Sequence, residues 1–433
     1  MLELNEGKVS LDGADIRTLK ERYGTPFYLF SERTLERNYR ELTSALAKNY
    51  PNFRIDYSVK SNNEIGVLKI LHSLGSHGEI ANHHELFLAQ RAGFRPEQLT
   101  LDAPCKSRAD IEECLKAGIY AFNLDSIEDL EDVNEAAKRL GKTAKVNVRV
   151  NIGLKKILPD MAEMYIGKFG VLKKDAARIC ELANAASNLE LIGISTHMGS
   201  QITSVEPYLK LTEEMFDVAR DAEARGLNIS EICLGGGFPS QSLQKTSIPS
   251  FVLSGVFGIS RVKEVPALRE YGERISQKFA ELAKTMERPP VLVLQPGRSV
   301  ASSMGVLVSE VKYVKGQWVF IDASVSFLPE SLFFAQRKIL FPEGQAKDGA
   351  KAGRFKVSGG SLNSADIFSM DVRIPKPARG DLALVLDAGT YSISRAQRFA
   401  VVCPPVYMLD KDGKIKMIRR AENGEDLAAA MLD

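Results

Sequence analysis

The stretch Phe53-Arg54-Ile55-Asp56-Tyr57-Ser58-Val59-Lys60-Ser61-Asn62 is a run of β-branched and aromatic residues that closes on a single lysine. Such a run reads as a short buried strand, residues 53–60. A lysine at the C-terminal end of a buried strand is placed for Schiff-base chemistry with an aldehyde, because burial and cationic neighbours lower an ammonium's pKa. Taken alone, Lys60 reads first as a strand-end lysine reaching water along its aliphatic stem.

The same pattern recurs seven more times, at residues 75–80, 99–103, 121–125, 144–150, 191–197, 231–237 and 290–296. Between these runs, segments such as 64–74, 85–93, 108–118 and 126–140 place apolar residues three and four apart, and several close on glycine. Alternating β and α with eight strands of parallel type predicts an α/β fold, a closed (β/α)8 TIM-type barrel, with an open doubly wound sheet as the rival. In such barrels the active site lies at the C-terminal strand ends. The unusual polar and glycine residues fall there: Lys60, Glu79, Asp102, Asp125, Arg149, His197, Gly235-Gly236-Gly237 and Gln295-Pro296-Gly297-Arg298. Asp102 and Asp125 individually read as helix caps, and a lone histidine as a satisfied core residue.

Ahead of the barrel lie a turn, a short helix at 15–23 and a strand at 26–30. Beyond Arg298 the pattern changes to alternating strands at 305–314, 318–322, 354–359, 381–386, 400–408 and 414–419. The expected organisation is a barrel over residues 31–290 and a β-rich domain from 1–30 and 291–433, the latter including the N-terminal strand. The long connection 238–268 reads as a lid or as a surface insertion.

At 433 residues the chain is long enough for two domains, and its 44% apolar and 26% charged composition is that of a globular protein. A net charge of +2 gives no reason to expect nucleic acid or an acidic membrane surface as a partner. The five cysteines, Cys105, Cys114, Cys180, Cys233 and Cys403, lack metal-site or disulfide spacing and read as free thiols, and no metal is expected. No signal-like or membrane-length apolar run occurs, so a cytoplasmic protein is the expectation.

A lysine, a histidine, a triglycine turn and a Pro-Gly-Arg on one barrel mouth suggest a specific chemistry. The turns after strands seven and eight are the habitual phosphate site of this fold. A phosphate beside an aldehyde-accepting lysine points to pyridoxal 5'-phosphate (PLP), whose ring supplies an electron sink.

Five segments resemble, in order, motifs of the alanine-racemase-type (fold type III) PLP decarboxylases, which include diaminopimelate, ornithine and arginine decarboxylases. They are Tyr57 to Asn62, His197-Met198-Gly199-Ser200-Gln201, Leu234-Gly235-Gly236-Gly237-Phe238, Gln295-Pro296-Gly297-Arg298 and Asp387-Ala388-Gly389-Thr390-Tyr391. The resemblance implies that Lys60 holds PLP, that His197 stacks on the ring, and that Ser200, Gly235, Gly236, Gly237, Gly297, Arg298 and Tyr391 belong to the phosphate cradle. It places Glu79 and Arg149 near the ring's phenolic side.

The chain also departs from the family pattern. Gln295 stands where the family has a glutamate that keeps the pyridine nitrogen protonated, and an amide supplies no charge for that task. Gly359 to Asp366 resembles the loop that the partner subunit inserts, but Leu362 takes the place of the proton-donating cysteine and Asn363 that of an acid. Glu330 falls near the position where diaminopimelate decarboxylases usually carry an arginine for the substrate's carboxylate, and its own charge would repel that carboxylate, which argues against diaminopimelate as substrate. Glu330, Leu362, Asn363 and Asp366 are therefore the candidate substrate residues.

These readings predict a PLP-dependent decarboxylase of an amino acid or amino-acid conjugate, acting as a homodimer with shared sites. The alternatives are a PLP-dependent amino-acid racemase or other chemistry of a Cα carbanion, or a non-catalytic paralogue that regulates a decarboxylase.

Overall fold

The computed structural model describes residues 2–5, 8–153, 168–240, 243–245, 265–332, 335–345 and 351–432. Most of the 238–268 connection lies outside the described residues. Two compact units emerge. One draws on Asn38–Pro239 and Val265–Ser299, the other on Met1–Arg37, Val300–Asp433 and the described part of Ser240–Glu264.

The first unit is a closed ring of eight parallel strands: Phe53–Ser58, His77–Ile80, Leu99–Asp102, Ala121–Leu124, Ala144–Asn151, Leu189–Ser195, Glu231–Cys233 and Val291–Leu294. Closure is explicit, because the eighth strand pairs with both the seventh and the first. The strands are short and almost wholly buried, as a parallel sheet covered by helices requires. The barrel therefore runs past residue 290, where the sequence reading ended it, and Gln295 to Arg298 belong to this unit.

The helices start and stop where local chemistry dictates. Ser107 caps Arg108–Ala117 through a reciprocal bond with Asp110, and Ser126 caps Ile127–Leu140 by accepting from Asp129 N. Gly118 and Gly141 end these two helices in the left-handed conformation. Along Glu206–Ala224 the buried residues Tyr208, Leu211, Met215, Val218 and Ala222 trace one face, and Tyr271, Ile275 and Phe279 trace the face of Leu268–Ala283. The two helices meet through Phe216 and Phe279, whose rings lie edge to face at 4.8 Å.

At the N-terminal strand ends the barrel interior is polar. Arg54 donates to Asp56 at 2.7 Å and to Glu231 at 2.8 Å, and Tyr120 Oη and Asn147 Nδ2 also donate to Glu231. This end of a barrel serves stability, and its charges are paired accordingly.

The second unit is built on a mixed, mainly antiparallel sheet, with parallel pairings of Phe27–Ser31 to Val406–Leu409 and of Trp318–Ile321 to Gly353–Ser358. Gly305–Lys315 pairs with Phe27–Ser31, Trp318–Ile321 and Leu382–Val385, and Phe27–Ser31 also pairs with Val406–Leu409. Phe27, Leu29, Val306, Val308, Leu384 and Tyr407 form its core. The all-β reading and the inclusion of the N-terminal strand thus hold. Residues 2–11 are not a simple turn: Leu2–Asn5 and Lys8–Leu11 pair as antiparallel strands. A further strand, Ile367–Ile374, pairs with Gly353–Ser358 where the sequence reading had none.

Candidate active site

Strand one ends at Ser58, and Lys60 sits on a single 3-10 turn, Val59–Ser61, one step beyond the strand that the sequence reading extended to it. The turn is tied down on both sides. Ser61 Oγ donates to Ser58 O at 2.6 Å, and Ser58 N donates to Pro296 O at 3.1 Å beyond strand eight. Gly297 is needed here, because a Cβ would stand 2.7 Å from Ser61 Oγ.

Register places Ser58 opposite Glu79 on strand two. Ser58 Oγ donates to Glu79 Oε2 at 2.6 Å, and Lys60 Nζ donates to both Glu79 oxygens, at 2.6 Å to Oε2. The Glu79 side chain is 2% exposed, whereas that of Lys60 is 46% exposed. Lys60 is thus oriented by a buried carboxylate and remains accessible.

Glu85, which the sequence reading did not single out, lies on the helix that follows. Its Oε2 accepts from Ala81 N at 2.8 Å. Burial pushes its carboxyl up to about 7, against the Ala81 hydrogen bond and with help from the Glu79 charge. A carboxyl raised in the folded state favours folding below its ordinary value of 4.5, and that favour is lost as pH rises to about 7. Glu85→Gln keeps an oxygen for Ala81 N and removes the titration. Denaturant melts should show the variant more stable than wild type by about 2 kcal/mol at pH 8 and nearly equal to it at pH 5.

Asp102 and Asp125 are not caps of the helices that follow, since Ser107 and Ser126 hold those positions. Both carboxylates turn to Arg149 on strand five: Nη1 stands 2.9 Å from Asp102 Oδ1 and 3.3 Å from Asp125 Oδ1. The Phe169 ring lies over the guanidinium, 4.6 Å from its carbon. Burial alone would raise Asp102, but the charge of Arg149, with Lys60 adding to it, holds this carboxyl below its ordinary value. Burial raises Asp125. Beneath the pair, Lys106 is sealed from solvent, with Nζ donating to Ala103 O, Asn123 O and Asp129.

His197 follows strand six. Its Nδ1 accepts from Gly236 N at 3.3 Å, so the ring proton resides on Nε2. Burial, then the charges of Arg149 and Lys60, lower its pKa to about 3, and the imidazole is neutral.

The triglycine turn is where backbone crowds backbone. A Cβ on Gly235, Gly236 or Gly237 would lie 2.4, 2.1 or 2.1 Å from the carbonyl oxygens of Thr196, Gln295 and Gly199. Gln295 is buried, and its N–H donates to Gly235 O at 2.9 Å. Arg298, buried as well, points Nη2 at Ser200 Oγ, 3.3 Å away.

The barrel unit therefore gathers Lys60, Glu79, Arg149, His197, Ser200, Gly235 to Gly237, Gln295, Gly297 and Arg298 at its C-terminal strand ends. The other predicted residues belong to the second unit. Tyr391 holds φ of +48°, an uncommon conformation for a bulky side chain. Asp366 organises the loop before it, accepting from Ser361 N, Ser361 Oγ and Val325 N. Asn363 Oδ1 accepts from Ala365 N, and Leu362 stands 92% exposed at the tip. Glu330 lies 3.7 Å from the buried guanidinium of Arg337. That neighbour offsets its charge, so Glu330 no longer argues against a substrate with a second carboxylate.

Sequence reasoning missed Arg337, Lys106, Glu85 and Phe169. The Ser107-x-x-Asp110 capping box marks where a helix begins just after Lys106, but no pattern in one chain says that the lysine turns inward.

The arrangement fits PLP. An arginine and a serine hydroxyl meet beside glycine turns that admit no side chain, as a phosphate needs, and an accessible lysine amine shares the same ring of strand ends. Residues 33–302 match the family described as pyridoxal-dependent decarboxylase, pyridoxal binding domain. The chain is 27% identical to the diaminopimelate decarboxylase of Methanocaldococcus jannaschii, across 99% of this chain and 96% of that protein. The Aquifex aeolicus diaminopimelate decarboxylase is 27% identical, across 100% and 97%. A crystal structure of the M. jannaschii enzyme superposes with a TM-score of 0.88 at 26% identity, covering 100% of this chain and 98% of that one, and it has also been solved with L-lysine. The chain belongs to the pyridoxal-dependent decarboxylases, carboxy-lyases that act on amino acids with PLP as cofactor.

Proposed function

We propose that this protein removes the α-carboxylate of an amino acid or amino-acid conjugate bearing a second polar group, with Lys60 as the amine that binds the cofactor's aldehyde carbon. The observation that carries the assignment is the pairing of accessible Lys60 with buried Glu79 on the ring of strand ends that also holds the Arg298–Ser200 pair. Arg298, Ser200 and the Gly235 to Gly237 turn would hold the phosphate. His197 and Gln295 would contact the ring. Bound PLP supplies the electron sink for the charge left at Cα when the carboxylate departs.

Proton handling falls to the chain. Neutral His197, with Nδ1 engaged by Gly236 N, is a weak acid and a weak base at neutral pH, and Leu362 has no proton to give. Lys60 Nζ, held by Glu79 and reachable from solvent, is the group that returns a proton to Cα.

Because Glu330 sits beside Arg337, diaminopimelate belongs in the substrate panel with lysine, ornithine, arginine and conjugated amino acids. Purified protein loaded with PLP should release carbon dioxide from at least one of them. Deuterium exchange at Cα with the carboxylate retained would instead identify a racemase, and a protein that stays colourless with PLP would favour a regulatory paralogue.

The exposed Leu362, on a loop that Asp366 stiffens, is the kind of apolar tip that a second copy covers. We infer a homodimer, and Leu362→Asp should move the population toward monomer in light scattering while its circular dichroism stays that of wild type.

A further inference from the structure

Arg149 is bound asymmetrically. Its contacts with Asp102 and Asp125 both use Nη1, and among the described residues Nε and Nη2 have no hydrogen-bond partner. The side chain is 8% exposed, so these two nitrogens lie at a nearly enclosed position on the barrel's strand ends. The two carboxylates come from different strand ends, the third and the fourth, and Phe169 covers the guanidinium. A guanidinium clamped at one nitrogen and backed by a ring cannot turn freely.

We propose that Asp102 is a positioning residue for cofactor binding: together with Asp125 it takes Nη1 of Arg149 and so holds Nε and Nη2 ready for the cofactor's anionic groups. This rests on the reading that PLP binds at these strand ends. Asp125, at 3.3 Å, makes the looser contact; Asp102, at 2.9 Å, makes the hydrogen bond that fixes direction.

The proposal predicts an effect opposite in sign to simple electrostatics. PLP is an anion, so deleting a buried carboxylate near its site should tighten binding if charge alone mattered. If Asp102 acts by orienting Arg149, deletion weakens binding instead.

The test titrates PLP into the full-length apo chain and reads the dissociation constant from the bound cofactor's absorbance, with cofactor circular dichroism as a second readout. Asp102→Ala should weaken binding about tenfold and reduce the induced dichroism, and Asp102→Asn, which keeps an acceptor oxygen, should weaken it less. In an Arg149→Met background the Asp102 substitutions should change the constant less than about twofold, because the partner through which they act is gone. Equal or tighter binding by Asp102→Ala, a lowered melting temperature with an unchanged constant, or equal weakening in both backgrounds would each overturn the proposal. Should Asp102→Ala not fold, Asp102→Asn in the two backgrounds decides by the same criterion. Failure of wild type to take up PLP would remove the parent reading as well, whereas a loaded wild type with an indifferent Asp102 removes this one alone.

Discussion

Lys60→Ala should abolish the visible absorbance that wild type shows with PLP and lower carbon dioxide release by about 10^4-fold or more. The magnitude follows from two functions lost at one atom. On the proposed reading Nζ would be both the amine that binds the cofactor and the group that returns the proton to Cα, a task for which neutral His197 is a weak acid and Leu362 has no proton to give. Stability should change far less. The Lys60 side chain is half exposed, so deleting it leaves Glu79 with Ser58 Oγ still donating and solvent able to enter. Lys60→Arg should retain the contact with Glu79 and yet remain colourless, because a guanidinium stays protonated and is no nucleophile. An arginine variant that binds PLP with wild-type absorbance, or an alanine variant that keeps more than a hundredth of the activity, would contradict the assignment.

The contrast with Asp102 shows where sequence stops being informative. Each barrel strand was legible because parallel strands under helices are apolar on both faces and end in polar or glycine residues. The motifs around Lys60, Gly235 to Gly237 and Arg298 were legible because lysine chemistry and backbone crowding each demand particular residue types. Asp102 was read as a cap because an aspartate at a strand end usually is one. Its actual partner lies two strands away, and only the register that brings strands three, four and five together makes the contact. Glu330 illustrates the same limit, since its charge looked repulsive until Arg337, seven positions on, was found beside it. Strand Ile367–Ile374 is a different case: Phe368 to Ile374 do alternate apolar and polar residues, a pattern that the sequence reading passed over, and in the fold most of its residues are only half-buried. The domain boundary was set too early, at 290, although the run 290–296 counts as the eighth strand: a β-rich region follows it directly, and its pairing with strands one and seven keeps Val291–Leu294 in the ring.

The same register makes Lys106 a costly residue to lose. It is the buried cation beneath the Asp102 and Asp125 strand ends, with its side chain fully sealed and its ammonium satisfied by Ala103 O at 2.9 Å, Asn123 O at 2.7 Å and the Asp129 carboxylate. Asp129 in turn accepts from Asp125 N at 2.9 Å, so one ammonium ties the end of strand three to the end of strand four. Removing it strands a buried carboxylate, frees two carbonyls and leaves a void. Breaking a buried ion pair from one side costs about 3–5 kcal/mol. Lys106→Met, which fills much of the volume, should therefore lower the melting temperature by roughly 10 °C, at about 2–4 °C per kcal/mol for a unit of this size. The direction of a second substitution tests the cause. Adding Asp129→Asn to Lys106→Met removes the unpaired charge while keeping an acceptor for Asp125 N, so the double variant should regain part of the lost stability even though it contains one more change. Purely additive losses would mean that packing, not charge, dominates at this position. Cofactor affinity should fall in Lys106→Met as well, because both carboxylates that hold Arg149 depend on strand ends this lysine secures, and restoring charge balance at Asp129 should restore stability more than affinity.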